Sequence, residues 1–215
     1  MAVITISRLV GSKGTLIGKE VAKRMDYHYI DMEFVQKIMS EYGEINFQDI
    51  YDSKIHIWNK YIGIAGEMLE FFRKVMLSIA KLGNVVIIGR GSFINLGKYK
   101  DVLGVMIYAP IDIRIKAIME IRGIKDPEEA ENYIVKKEKI RQSFIENTFN
   151  VKWDKVNNFD MLFNTGKMNP DFVVNSIIIA GKELEKTTKS TQGIFTRDIE
   201  SDKVLDYTVK SLLLE

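Results

Sequence analysis

Five short apolar runs punctuate the chain: AVITIS (2–7), YHYID (27–31), NVVIIG (84–89), VLGVMIYA (102–109) and FDMLFN (159–164). Most are apolar throughout rather than at alternate positions, which is the pattern of strands buried on both faces. Such strands, separated by helical segments, imply an α/β fold: a doubly wound, parallel five-stranded sheet with helices on both faces. With 215 residues, 46% of them hydrophobic, the chain is long enough for one domain of this kind and a small appendage.

Helical spacing fills the gaps between the runs. TLIGKEVAKRM (15–25) sets Leu16, Ile17, Val21 and Ala22 on one side. Ile55, Trp58, Ile62, Ala65, Leu69, Phe72, Met76 and Ile79 alternate three- and four-residue steps and stop before Gly83, a C-terminal cap residue. That stripe reads as core packing, with a homodimer seam through the 55–79 helix as the minority alternative. Asp126-Pro127-Glu128 and Asn169-Pro170 have the form of helix starts, and they open a cation-bearing segment and a last core helix to about residue 185. Residues 1–185 therefore form the main domain. Residues 186–215 read as a polar linker, KTTKSTQG, followed by an amphipathic helix that docks on the core, docks on a partner or begins a further domain.

Composition removes several kinds of chemistry. Without cysteine there is no disulfide, thiolate nucleophile or zinc–thiolate site. The two histidines, His28 and His56, have no serine or acid at suggestive spacing and read as structural. A formal net charge of +2 gives no broad basic field, so nucleic acid is not an expected partner. No apolar run reaches the roughly 20 residues of a membrane span, and no leader pattern opens the chain. The expectation is a cytoplasmic protein that acts on small molecules.

The segment SRLVGSKGT (7–15) sits between the first strand and the first helix. In the Walker pattern GxxxxGK[ST], small residues let backbone amides turn towards phosphates, the lysine reaches the terminal phosphates and the following helix adds its positive end. Aligned on Lys13, this chain has Ser7 and Ser12 in place of the two glycines, Gly14 after the lysine, and Thr15 one place late. Gly11, Ser12, Lys13, Gly14 and Thr15 are candidate phosphate ligands, and Thr15 and Asp31 candidate magnesium ligands. Two other readings stand beside this one: an ordinary strand-to-helix turn, and a dinucleotide site built on Gly11, Gly14, Gly18 and Asp31.

Further candidates follow the other strands. Asp31 closes the second strand, either facing a ligand or capping the next helix. Arg90 lies in GRGSF, where flanking glycines give its guanidinium room to grip a phosphate. Arg114, Lys137 and Arg141 are cations on the helices after the fourth strand, either a solvated face or a set that closes around a migrating phosphoryl group.

Taken together, ITISRLVGSKGTLIG, YIDMEFV, VVIIGRGSF, KKEKIRQSFIENTF and FDMLFNTG resemble the cytidylate kinase-like family of P-loop proteins, in order over about residues 3–185. The resemblance implies a nucleoside-monophosphate-kinase fold with a helical lid or arm, and ATP and Mg2+ as cofactors. It implies that loop 11–15 grips the ATP phosphates, that Asp31 and Arg90 face the acceptor, and that the arm bearing Lys137 and Arg141 closes over the phosphate. Thr165 and Gly166 would lie near the nucleotide base. Cytidylate kinases carry an acid beside the third-strand arginine and an arginine beyond the second-strand aspartate. Here Gly91 and Gln36-Lys37 stand in those places, leaving Lys37 as the acceptor-side cation.

The resulting expectation is ATP-dependent phosphoryl transfer to a small acceptor, most simply a nucleoside monophosphate. Lys13, Arg141 and Arg114 would stabilise charge, and Asp31, Lys37 and Arg90 would hold the acceptor. The alternatives are a nucleotide-binding regulatory or scaffold protein without turnover, and a packing-driven interaction module.

Overall fold

The structure is a computed structural model and describes residues 1–43, 62–153, 155–188 and 190–214. Five strands, β1 (Val3–Arg8), β2 (His28–Ile30), β3 (Val85–Ile88), β4 (Val102–Tyr108) and β5 (Met161–Asn164), form one sheet in the order β2-β3-β1-β4-β5. Every pairing is parallel, with Val3 opposite both Val85 and Val102. Around the sheet lie α1 (Gly14–Met25), α2 (Met32–Glu41), α3 (Ile62–Leu82), α4 (Ser92–Leu96), α5 (Ile111–Arg122), α6 (Pro127–Phe149), α7 (Pro170–Thr187) and α8 (Lys203–Leu213). The five apolar runs are the five strands. Asp126 and Asn169 cap α6 and α7 by accepting from Glu128 N and Asp171 N, as the Asp-Pro and Asn-Pro signals predict.

Alternation along the buried strands divides the core in two. Ile4, Ile6, Val86, Ile88, Val105 and Ile107 face α1 and α7, whereas Val3, Val85 and Ile87 face α2, α3, α6 and α8. This is the doubly wound arrangement. Gly18 lets α1 approach closely, since a Cβ there would overlap Ile88 Cδ1. The chain leaves β1 towards β2 on one side and leaves β4 towards β5 on the other. At such a reversal the loops separate and leave a crevice beyond the strands' carboxyl ends. SRLVGSKGT occupies that point.

The long apolar stripe is described only in part. Ile55, Trp58 and His56 lie outside the described residues, while Met68, Phe72, Val75, Met76 and Ile79 are buried in this chain's own core. Between Met68 and Ile79 these five residues are therefore engaged in packing within the chain.

The division at residue 185 falls inside α7. After it the chain returns to the core: Lys100 N donates to Ile194 O (2.9 Å), and buried Asp101 accepts from Thr196 N (2.9 Å) and Thr196 Oγ1 (2.6 Å). Leu205 and Val209 of α8 join the core cluster of α2 and α3. Burying side chains of this size stabilises by about 1.5–3 kcal/mol each. Asp206 ties α8 down through Ser78 (2.5 Å), Ser201 (2.8 Å) and Lys81 (3.0 Å). Burial pushes its carboxyl up, but those three donors outweigh burial and hold it below the ordinary value.

Candidate active site at the end of the first strand

The loop after β1 forms with only one of its glycines in a left-handed conformation. Gly11 has φ +82°, and a Cβ on it would lie 2.7 Å from the Arg114 carbonyl oxygen. Neither Ser7 nor Ser12 has positive φ. Ser12 is buried with its hydroxyl turned under the loop, donating to Leu9 O (2.9 Å) and Ile107 O (3.1 Å). Serine can thus replace glycine here without projecting into the crevice. The left-handed burden falls on Lys13, at φ 62°, which ends the loop. The helix that follows has no side-chain cap. The first-turn amides of any helix lack intrahelical partners, so those of α1 are available to an anion.

Three side chains brace the loop from behind. Thr165 Oγ1 donates to Ser12 O (2.9 Å). Arg114, 8% exposed, donates from Nε to Ala109 O (3.0 Å) and from Nη1 to Val10 O (3.2 Å) and Glu138 Oε1 (2.8 Å). Glu138, on the arm helix α6, also accepts from the loop amide Val10 N (3.0 Å). Thr165 and Arg114 accordingly shape the loop. Gly166 packs in a turn, where a Cβ would lie 2.6 Å from Pro110 Cδ.

In front of the loop is a cleft of about 750 Å³. Gly11, Lys13, Gly14 and Thr15 line its polar end, and Ala117, Ile118, Ile121 and Pro170 make it apolar elsewhere. The Arg122 guanidinium lies 4.2 Å from the Tyr133 ring centroid, at the same wall. Lys137 is not among the lining residues. In the sequence Arg122 and Glu138 are only two members of the mixed charges on the helices after the fourth strand, which look alike until the helices are placed, and Tyr133 carries no signal of its own.

A second, much smaller cavity of about 20 Å³ lies beside the loop, lined by Ser7, Arg8, Gly89, Arg90, Arg141, Phe144, Ile145 and Trp153. Arg90 has φ 62° between Gly89 and Gly91, both also left-handed, so GRG turns sharply after β3 and brings Arg90 back to the loop. Arg141 Nη1 donates to Arg8 O (3.3 Å). The structure therefore gathers Arg90 and Arg141 and adds Arg8, whose place directly after Ser7 was the signal available in the sequence. Asp31 is the N-cap of α2, accepting from Glu33 N (3.0 Å) and Phe34 N (3.2 Å), and Lys37 is exposed on α2; neither lines either cavity. Nearby, burial first and Asp31 second push the Tyr29 hydroxyl up to about 12, opposed by the Arg8 charge.

Among the described residues no group of three His, Cys, Asp or Glu could hold a metal ion. Magnesium needs no such cage, since it keeps waters and takes one or two protein oxygens beside substrate phosphates. Thr15, at the cleft, fits that requirement, whereas the Asp31 carboxylate is engaged at the start of α2. No helix among the described residues is long and apolar enough to cross a membrane.

A parallel sheet in this order, a phosphate-type loop after its central strand and a cationic arm helix define the P-loop kinase class of fold. The chain belongs to the cytidylate kinase-like family, whose profile matches residues 3–167. It is 25% identical over 186 residues to a cytidylate kinase of Methanocaldococcus jannaschii, covering 86% of this chain and 99% of the relative. To a cytidylate kinase of Ignicoccus hospitalis it is 26% identical, over 82% of this chain and 97% of the relative. A crystal structure of an uncharacterized protein from Eubacterium ventriosum shares the fold, with a TM-score of 0.62 and 21% identity over 85% of this chain and 99% of that one.

Proposed function

We propose that this protein transfers the γ-phosphoryl group of ATP to a nucleoside monophosphate. One observation carries the reading: the uncapped start of α1 and Lys13 open on a cleft of about 750 Å³ that abuts a cluster of arginines. A cleft of that size fits a small-molecule ligand, and its apolar wall suits a base. The family and the named activity of its relatives support the same conclusion.

In this mechanism the amides of Gly14 and Thr15, with the Lys13 ammonium, hold the β- and γ-phosphates. Magnesium bound with the nucleotide would neutralise phosphate charge, and Thr15 would hold it. Arg90 grips the acceptor phosphate, and Arg141 stabilises charge on the migrating group. Arg114 acts by holding the loop in shape through Val10 and Glu138. No covalent intermediate on the protein is needed.

The second reading, a nucleotide binder without turnover, has one observation in its favour: the cavity beside Arg90 holds only about 20 Å³. Calorimetry with ATP, followed by transfer assays across a panel of monophosphates, separates the two. ATP binding at 100 times its dissociation constant should stabilise the fold by about 2.7 kcal/mol. Binding with no transfer to any acceptor would establish the second reading, and no thermal shift would remove both. Lys13→Ala should weaken ATP binding by about 10- to 100-fold, the loss of a charged contact.

A further inference from the structure

Arg8 and Arg141 are the two residues that line both the donor cleft and the small arginine-lined cavity. A phosphoryl group passing from donor to acceptor crosses that boundary. The course of the Arg8 side chain is fixed by two glycines. Its stem passes Gly14, where an added Cβ would sit 2.5 Å from Arg8 Cβ and 2.9 Å from Cγ. Its guanidinium lies on Gly89, where an added Cβ would collide with Nη1. Gly14 starts the donor helix and Gly89 directly follows the acceptor strand β3, so one side chain spans the two halves of the site.

Building on the phosphoryl-transfer reading, we propose that Arg8 is a catalytic residue whose guanidinium contacts the migrating phosphoryl group and the acceptor phosphate together. In the step it serves, an oxygen of the acceptor phosphate bonds to the γ-phosphorus as the bond to the β–γ bridging oxygen breaks. The electron pair of that bond stays on the departing ADP, and the dianionic acceptor brings no proton. Negative charge spreads over the equatorial oxygens in transit, where fixed donors are most effective. Arg141 reaches this place from the arm helix. Arg8 belongs to the loop's own strand and is already packed there, so its contact needs no arm movement.

The test uses the full chain with Mg-ATP and the best acceptor of the panel, comparing wild type with Arg8→Met and Arg8→Lys. Arg8→Met should lower kcat by about 10²–10³-fold, the size of losing one transition-state donor, while the ATP dissociation constant stays within about threefold. Arg8→Lys should fall between, because an ammonium lacks the planar fork. Wild type should bind ADP with aluminium fluoride and acceptor far more tightly than ADP with acceptor, and Arg8→Met should lose that advantage. A folded Arg8→Met with wild-type kcat overturns the proposal, as does one that loses ATP affinity alone. If Arg8→Met does not fold, Arg8→Lys decides: unchanged kcat overturns the assignment and a tenfold loss supports it. An inactive wild type removes the transfer reading and this one together, whereas an active wild type with an equally active variant removes only this one.

Discussion

The two halves of the proposed site are built from different materials. The donor half is mainly backbone: a left-handed Gly11, the open start of α1, and a cleft of about 750 Å³. The acceptor half is mainly long side chains, with Arg8, Arg90 and Arg141 packed against Phe144 and Trp153 around about 20 Å³. Backbone held by a sheet and buried braces keeps its shape without a ligand. Long side chains fill whatever space they surround. On the proposed function the donor half is therefore preformed, while an acceptor would have to displace side chains of the arm and the segment after it.

The largest effect that would sharpen this contrast is at Arg90. Arg90→Met keeps a side chain on a left-handed residue that already carries one, so the backbone cost is the same in both proteins. KM for the acceptor should rise by about 10- to 100-fold, the loss of a charge-assisted contact, with ATP affinity unchanged. An equal loss of ATP affinity in steady-state and calorimetric measurements would show that the halves are one unit.

A smaller effect should appear at Glu138, where the arm puts a carboxylate on a loop amide. Glu138→Gln removes a negative charge beside the phosphates and weakens the pair with Arg114, whose side chains are 20% and 9% exposed. The nucleotide-free protein should lose about 1–3 kcal/mol of stability in denaturant titrations, as for a hydrogen bond between charged groups. ATP should bind several-fold more tightly. Weaker binding would break the contrast, because the donor half would then depend on a side chain as well.

The fold was legible because it rests on local signals. Fully apolar runs marked the strands, and Asp126-Pro127 and Asn169-Pro170 marked two helix starts within a residue. The site was legible only where it is local too. Lys13, Thr15 and Arg90 could be placed from the loops that carry them. Thr165, expected near the base, and Arg114, expected to stabilise charge, brace the loop by contacts over 153 and 104 residues of sequence that no local pattern announces. Glu138, 128 residues from Val10, left no trace among the other charges of its helix. Asp31 shows the limit most clearly: a carboxylate at a strand end before MEFV suits a ligand and an N-cap equally, and only the structure shows that Glu33 N and Phe34 N donate to its Oδ1.

The smallest expected effect concerns the cost of the preformed loop. Lys13 holds φ 62° and ψ 8°, a conformation that costs a residue with a Cβ roughly 1–2 kcal/mol and glycine almost nothing. Lys13→Gly should therefore stabilise the nucleotide-free protein, by on the order of 1 kcal/mol or less once the greater freedom of unfolded glycine is set against it. For a chain of this length that is a rise of about 2–4 °C at most in Tm. In the presence of ATP the order should reverse, since the variant has no ammonium to offer the phosphates. Thermal unfolding with and without ATP measures both effects. A variant less stable than wild type without nucleotide would mean that the lysine side chain, rather than the sheet and its braces, holds the loop open, and the donor half would no longer count as a site made of backbone.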